Sequence, residues 1–168
     1  MVPRRVFFSF HYQEDIWRVS QVRNSWLTKE WEPNTPVDKA SWESLKRKGD
    51  TVVKRWIDNE LKGCGVTVVL VGRYTYSRPY VLYELQKSFE MKKGILAITI
   101  HNLKNHIGQT CAPGINPLSK LYLTKGSPNS FQFIGTLSNI FPTFDWVRDN
   151  GYQNFSAWVE MAARAVNR

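Results

Sequence analysis

The sequence predicts an α/β fold, a mostly parallel central sheet with helices on both faces. Three observations predict it. Short apolar runs rich in strand formers alternate with segments of helical periodicity. Two of those runs, Val66–Val71 and Ile95–Ile100, are continuous rather than alternating, as in strands covered on both faces. The spacing between runs leaves room for the helical crossovers that parallel strands require, and such crossovers are right-handed. A flavodoxin-like strand order satisfies all three.

The elements follow in chain order. Val6-Phe7-Phe8-Ser9-Phe10 reads as a buried first strand. From about Gln13 to Glu30, Ile16, Val19, Val22, Trp26 and Leu27 recur at helical spacing, with Glu14 and Asp15 in the first turn where the helix dipole favours negative charge. Pro33-Asn34-Thr35-Pro36 ends that helix, and a second strand has room only around Thr35 to Ala40. Leu45, Val52, Val53, Trp56, Ile57 and Leu61 mark a helix over about Ser44 to Leu61, which Gly49 and Asp50 can break and Gly63 can stop. Val66–Val71 is the clearest strand, closed by Gly72. Pro79 suits the first turn of a helix running to about Lys92, and the strand Ile95–Ile100 comes next. Residues 102–130, rich in Asn, Gly, Pro and Ser, read as a long irregular connection of the kind that forms functional surfaces. Phe131 to Ile134 reads as a last short strand and Phe155 to Val166 as a closing amphipathic helix.

Composition narrows the function. The 168 residues suit one domain over 1–168, and 42% hydrophobic against 22% charged residues is the ordinary globular mix. No apolar stretch approaches the roughly 20 residues that cross a bilayer, and the apolar run at Val6–Phe10 is too short for a signal peptide, so the expected location is the cytoplasm. Cys64 and Cys111 have no His or Cys at ligand spacing, which argues against both a structural zinc and a disulfide scaffold. The net charge of +9 is concentrated in residues 64–125, with eight basic and two acidic side chains, and it lacks the stripe or arm of a nucleic-acid binder. The excess fits phosphate contacts to nucleic acid, a small phosphate-bearing ligand such as a dinucleotide, or, for most of these lysines, a solvated cationic face.

In open parallel sheets ligands bind beyond the carboxyl ends of the strands, at the switch in strand order. The residues to inspect are therefore Ser9, Phe10, His11 and Tyr12, then Gly72 to Ser77, then His101 and Asn102. On the helix from Pro79, Val81, Leu82, Leu85 and Phe89 share one arc, with Glu84 at its margin beside Ser88. Glu84 and Glu90 are the two acidic residues between Leu61 and Phe144. The structural alternative for Glu84 is an exposed glutamate pairing with Lys87 or Lys92. Ser9 and Phe10 can likewise simply end a strand, His11 can cap a helix, and Trp42 can pack under a crossover.

A resemblance weighs against those alternatives. Val6-Phe7-Phe8-Ser9-Phe10-His11-Tyr12-Gln13-Glu14-Asp15 resembles the first box of TIR domains. Asp38 with Ser41-Trp42-Glu43, the strand Val66–Val71 with Gly72, Tyr80-Val81-Leu82-Tyr83-Glu84-Leu85 with Lys87-Ser88, and Asp149-Asn150-Gly151-Tyr152 with Phe155-Ser156 and Trp158-Val159 extend the likeness over nearly the whole chain. As a set they look like the TIR-like, ThsB-type proteins of bacterial Thoeris antiphage defence. The TIR second box is replaced by Pro33-Asn34-Thr35-Pro36, so assembly through that loop stays open.

The resemblance implies a TIR-like three-layer sandwich of flavodoxin-like type. It implies an enzyme that takes NAD as substrate, with no separate cofactor or metal, and cleaves the nicotinamide–ribose bond. Its product would be a cyclic or otherwise modified ADP-ribose messenger that reaches a separate effector protein, with phage infection as the trigger. Self-association is expected of TIR enzymes, and a second protomer then completes the site or does not. Glu84 falls on the catalytic glutamate position. Chemistry supports the rest of the site: departure of neutral nicotinamide leaves a ribosyl cation that an ionised Glu84 would stabilise. Phe8, Phe10, His11 and Tyr12 would flank the nicotinamide or its ribose beside Ser9, Trp42 and Tyr74 offer stacking faces, and Arg73 or Arg78 suits the pyrophosphate. Two other classes share the fold. A non-catalytic TIR-like scaffold would act by protein contacts alone. A phosphoryl receiver or flavin protein is disfavoured, because the third strand ends Val71-Gly72-Arg73 without aspartate and the first is followed by His11-Tyr12-Gln13 in place of a phosphate loop.

Overall fold

The structure, a computed structural model, describes residues 4–27, 39–127, 129, 130 and 132–167. Strand β1 (Val6–Phe10) leads into helix α1 (Tyr12–Leu27), then α2 (Lys39–Arg47) and α3 (Asp50–Lys62). Strand β2 (Val66–Val71), helix α4 (Pro79–Glu90) and strand β3 (Gly94–Thr99) form the middle of the chain. A hairpin of β4 (Tyr122–Lys125) and β5 (Gln132–Thr136), the three-residue strand β6 (Thr143–Asp145) and helix α5 (Gly151–Arg164) complete it.

The central sheet is parallel throughout, in the order β1-β2-β3-β6. Two-residue alternation sends its side chains to two faces. Val6, Phe8, Val66, Val68, Leu70, Leu96 and Ile98 pack with Val19 and Val22 of α1 and with Phe155, Trp158 and Val159 of α5. On the opposite face, Val69, Val71, Ile95 and Ala97 meet Val81 and Leu85 of α4, while Phe7 meets Val53, Ile57 and Leu61 of α3. The predicted three-layer α/β sandwich is therefore the observed one.

Several expectations shift in detail. The helix read over Ser44 to Leu61 is two helices, separated at Gly49, whose φ of 104° is costly for any residue with a Cβ. The second strand expected at Thr35 to Ala40 lies largely outside the described residues, and Ala40 is helical, because Trp42 and Leu45 form an i, i+3 pair that packs onto α3. Helix α1 is described as far as Leu27, so residues 28–30 also lie outside. Phe131 is not described, and Gln132–Ile134 belong to the antiparallel hairpin rather than the main sheet. The fourth sheet strand is β6, which three residues cannot announce through periodicity.

Glu14 and Asp15 have separate roles. Asp15 is fully buried and its carboxylate lies 3.4 Å from the Arg18 guanidinium, itself 2% exposed. Arg18 also donates to the carbonyls of Leu103 and Gln109, clamping the long connection after β3 onto α1. Burial pushes the Asp15 carboxyl up to about 6 against the pull of Arg18. Gly72 must be glycine here: a Cβ would stand 2.0 Å from the Asp15 carboxylate.

Gly94 marks the closest approach of β3 to α5, where a Cβ would meet the Ala162 carbonyl oxygen at 2.5 Å and its carbon at 2.7 Å. Both are backbone atoms and cannot swing away. Gly94→Ala is expected to cost about 1–3 kcal/mol through overpacking, read as a lower urea midpoint; an unchanged midpoint would show that α5 moves off the sheet freely.

Candidate functional site

Helix α4 starts at Pro79, whose missing N–H costs nothing in a first turn. Its buried face is Val81, Glu84, Leu85 and Ser88, while Phe89 turns outward against Phe141. The predicted arc was thus rotated by part of a turn, and Glu84 lies inside the buried face rather than at its margin. The alternative of an exposed glutamate fails, since Glu84 is buried, and Lys87 pairs with Glu90 instead. Beneath α4, alternation along β1 and β2 directs Ser9 and Thr67 to the same face as Phe7 and Val69. The Ser9 hydroxyl donates to Glu84 Oε2. The Ser88 hydroxyl donates to the Glu84 carbonyl at 2.6 Å and lies 2.7 Å from the Thr67 hydroxyl.

Burial pushes the Glu84 carboxyl up to about 8, and the Ser9 hydroxyl pulls the other way. The ionised form read from the sequence is therefore a minor one at neutral pH. A cation brought beside Glu84 would restore it, because an opposite charge within a few ångströms lowers a carboxyl pKa.

Glu84 lies on a cavity of about 260 Å³ beside β1, which is an edge strand among the described residues. Phe8, Phe10, His11 and Tyr12 line it from β1 and the start of α1, Trp42, Glu43 and Lys46 from α2, and Trp56 and Glu60 from α3. Arg78, Pro79 and Tyr80 line it from the entry to α4. The walls are aromatic: Trp42 meets Tyr80 edge-on with centroids 5.8 Å apart and Trp56 at 6.1 Å, and Phe10 stacks on Tyr12 at 5.8 Å. The guanidinium Nε of Arg78 is buried and has no hydrogen-bond partner among the described residues. Lys46 pairs with Glu43 at 3.0 Å. Burial, with Arg78 and Lys46 nearby, pushes His11 down to about 4, so its imidazole is neutral.

Most of the residues singled out from the sequence converge here. Ser9 reaches the site through its bond to Glu84, and Phe8, Phe10, His11, Tyr12, Trp42 and Arg78 line the cavity itself. Tyr74 does not join them: it is exposed and the Arg73 guanidinium lies 4.9 Å from its ring, so both residues form a surface stack. His101 and Asn102 serve β6 instead, 4.0 Å and 3.0 Å from Asp145 Oδ2. Sequence reasoning missed Tyr80, Trp56 and Lys46 as lining residues. Tyr80 had a signal, since it precedes Glu84 by one helical turn; Trp56 and Lys46 depend on how α2 and α3 fold back, which no spacing encodes.

Residues 7–105 match the family described as Thoeris protein ThsB, TIR-like domain. The chain is 35% identical over 191 aligned positions to a protein of Bacillus cereus (strain MSX-D12) named "Putative cyclic ADP-D-ribose synthase ThsB1", a match spanning 94% of this chain and 100% of that relative.

The raised Glu84 carboxyl has a signature in stability. Its folded value of about 8 stands above the ordinary 4.5, so its contribution is fully present below pH 4.5 and is lost as pH rises to 8, at about 1.4 kcal/mol per unit as an upper bound. Glu84→Gln keeps an acceptor for Ser9 and carries no such dependence. The variant is expected to gain stability over the parent progressively from pH 5 to pH 8 in urea titrations; a constant difference would mean that Glu84 is solvated.

Proposed function

The chain belongs to the TIR-like ThsB family of Thoeris antiphage defence, and on that premise we propose that it cleaves NAD at the nicotinamide–ribose bond and turns the ADP-ribosyl part into a cyclic messenger for a separate effector. The observation that carries the reading is a buried carboxyl, Glu84, held by Ser9 at an aromatic-walled cavity whose rim also presents Arg78. The cavity of about 260 Å³ lies just under the roughly 300 Å³ lower end of small-molecule pockets. It suits the nicotinamide riboside half of the dinucleotide, with the adenosine half reaching over the rim.

The chemistry follows from charge. Oxidised NAD brings a cationic ring to Glu84, which favours loss of the carboxyl proton and leaves a carboxylate beside the ribose. As the C1′–N1 bond breaks, the electron pair goes to nicotinamide and the positive charge moves to the ribosyl centre, where the carboxylate stabilises it. Trp42, Tyr80 and Trp56 keep water from the reacting carbon. Arg78, whose Nε has no hydrogen-bond partner among the described residues, suits the diphosphate. A neutral dihydronicotinamide would not displace the proton, so the site favours the oxidised dinucleotide.

The test measures nicotinamide release and the mass of the nucleotide product, with purified protein and in phage-challenged cells. Glu84→Gln is expected to lower both by at least about 10²-fold while folding normally, and undiminished product would overturn the assignment. Trp42→Ala is expected to raise KM about tenfold or more through lost stacking, whereas Tyr74→Ala, away from the cavity, is expected to leave KM within about twofold.

A further inference from the structure

We propose that His11, oriented by Glu14, accepts the proton of the oxygen nucleophile that captures the ribosyl cation; this role rests on the NAD-cleaving reading above. Capture by a ribose hydroxyl of the same molecule forms a C1′–O bond from an oxygen lone pair. The O–H proton must then go to an acceptor near C1′. His11 lines the same cavity as Glu84 and is 8% exposed. Its Nδ1 is buried without a hydrogen-bond partner among the described residues. A buried nitrogen left unpaired is costly and calls for an explanation.

Glu14, one helical turn away on α1, supplies one. Its Oε2 lies 3.9 Å from His11 Nδ1, and its side chain is 32% exposed, free to close that gap. With the imidazole proton on Nδ1 and directed to Glu14, Nε2 carries the lone pair. The charged groups facing His11 are Arg78 from the entry to α4, Lys46 from α2 and Glu14 from α1, with Glu84 of α4, Glu43 of α2 and Glu60 of α3 on the same cavity. Burial first, and then Arg78 and Lys46, keep the imidazole neutral; a diphosphate bound against the two cations would cancel their fields and raise its proton affinity when substrate is in place. The step balances: C1′–O forms, O–H breaks, and the imidazolium pairs with the Glu14 carboxylate until product leaves and the proton passes to water. The rival acceptor is Glu84 itself.

Labelled nicotinamide distinguishes them. The ribosyl cation either returns to NAD by taking labelled nicotinamide, which has no proton to lose, or goes forward by capturing oxygen, which has one. In the purified full chain with NAD and labelled nicotinamide, the ratio of exchange to product is expected to rise on the order of 10²-fold in His11→Gln and several-fold, by about a factor of five, in Glu14→Gln. A merely structural role would lower both fluxes together and leave the ratio unchanged. A parent-like ratio in Glu14→Gln, whose side chain is partly exposed, together with one in His11→Gln, would overturn the proposal and leave the proton to a carboxylate of the cavity, Glu84 first among them. A wild-type chain that neither releases nor exchanges nicotinamide, both purified and in phage-challenged cells, would overturn the NAD reading, a result separate from a working enzyme with an unaltered ratio.

Discussion

The constraint on which the site depends is the burial of one carboxyl, Glu84, in the interface between α4 and the parallel sheet. Around it that interface is apolar, with Val81 and Leu85 packed on Val69, Val71, Ile95 and Ala97. The polar exceptions are matched across it: Ser9 with Glu84, and Thr67 with Ser88. Both matches require that β1 and β2 keep their register, Phe7 opposite Thr67 and Ser9 opposite Val69, because a slip of one strand by one residue would turn its polar side chain, Ser9 or Thr67, to the α5 face. A carboxyl in this position weakens the fold near neutral pH, which is the pattern of a group kept for chemistry rather than stability.

The cavity is a consequence of how the chain leaves that interface. Among the described residues nothing pairs with the open edge of β1, and α2, α3 and the first turn of α4 close over it with large rings instead of another strand. Those rings pack on one another, Trp42 on Tyr80 and Trp56, so the walls have defined positions. The face carrying α1 and α5 contributes support. There the Asp15–Arg18 pair ties α1 to the connection after β3, and Asp15 packs directly under Gly72 at the end of β2. Breaking such a buried pair is costly, since it leaves an uncompensated charge inside the protein. The end of the sheet that bears the site is thus braced from the α1 side as well as from α4.

Much of this was legible from local pattern. Continuous β-branched runs gave β2 and β3, helical spacing gave α1, α3, α4 and α5 within a few residues, and Gly49 marked the break between α2 and α3. Strand ends pointed to Ser9, Phe10, His11 and Tyr12, which do meet at the site. What was not legible had no local signal. β6 is too short to show a period, the hairpin of β4 and β5 depends on pairing across an irregular connection, and Tyr74 faces outward although it follows β2 as closely as a ligand-binding residue would.

By itself, then, the sequence determined the layers and the parallel sense of the sheet, because hydrophobic period and strand-end position are properties of neighbouring residues, and its resemblance to TIR-like proteins pointed to Glu84. Only the tertiary structure decided that Glu84 is buried and largely protonated, that His11 is neutral with Glu14 beside it, and that Trp56, Lys46 and Tyr80 share its cavity. The physical reason is that desolvation and field are set by whatever packs around a group, and here the contacts join residues as far apart in the chain as Ser9 and Glu84, 75 residues, a separation at which spacing conveys nothing.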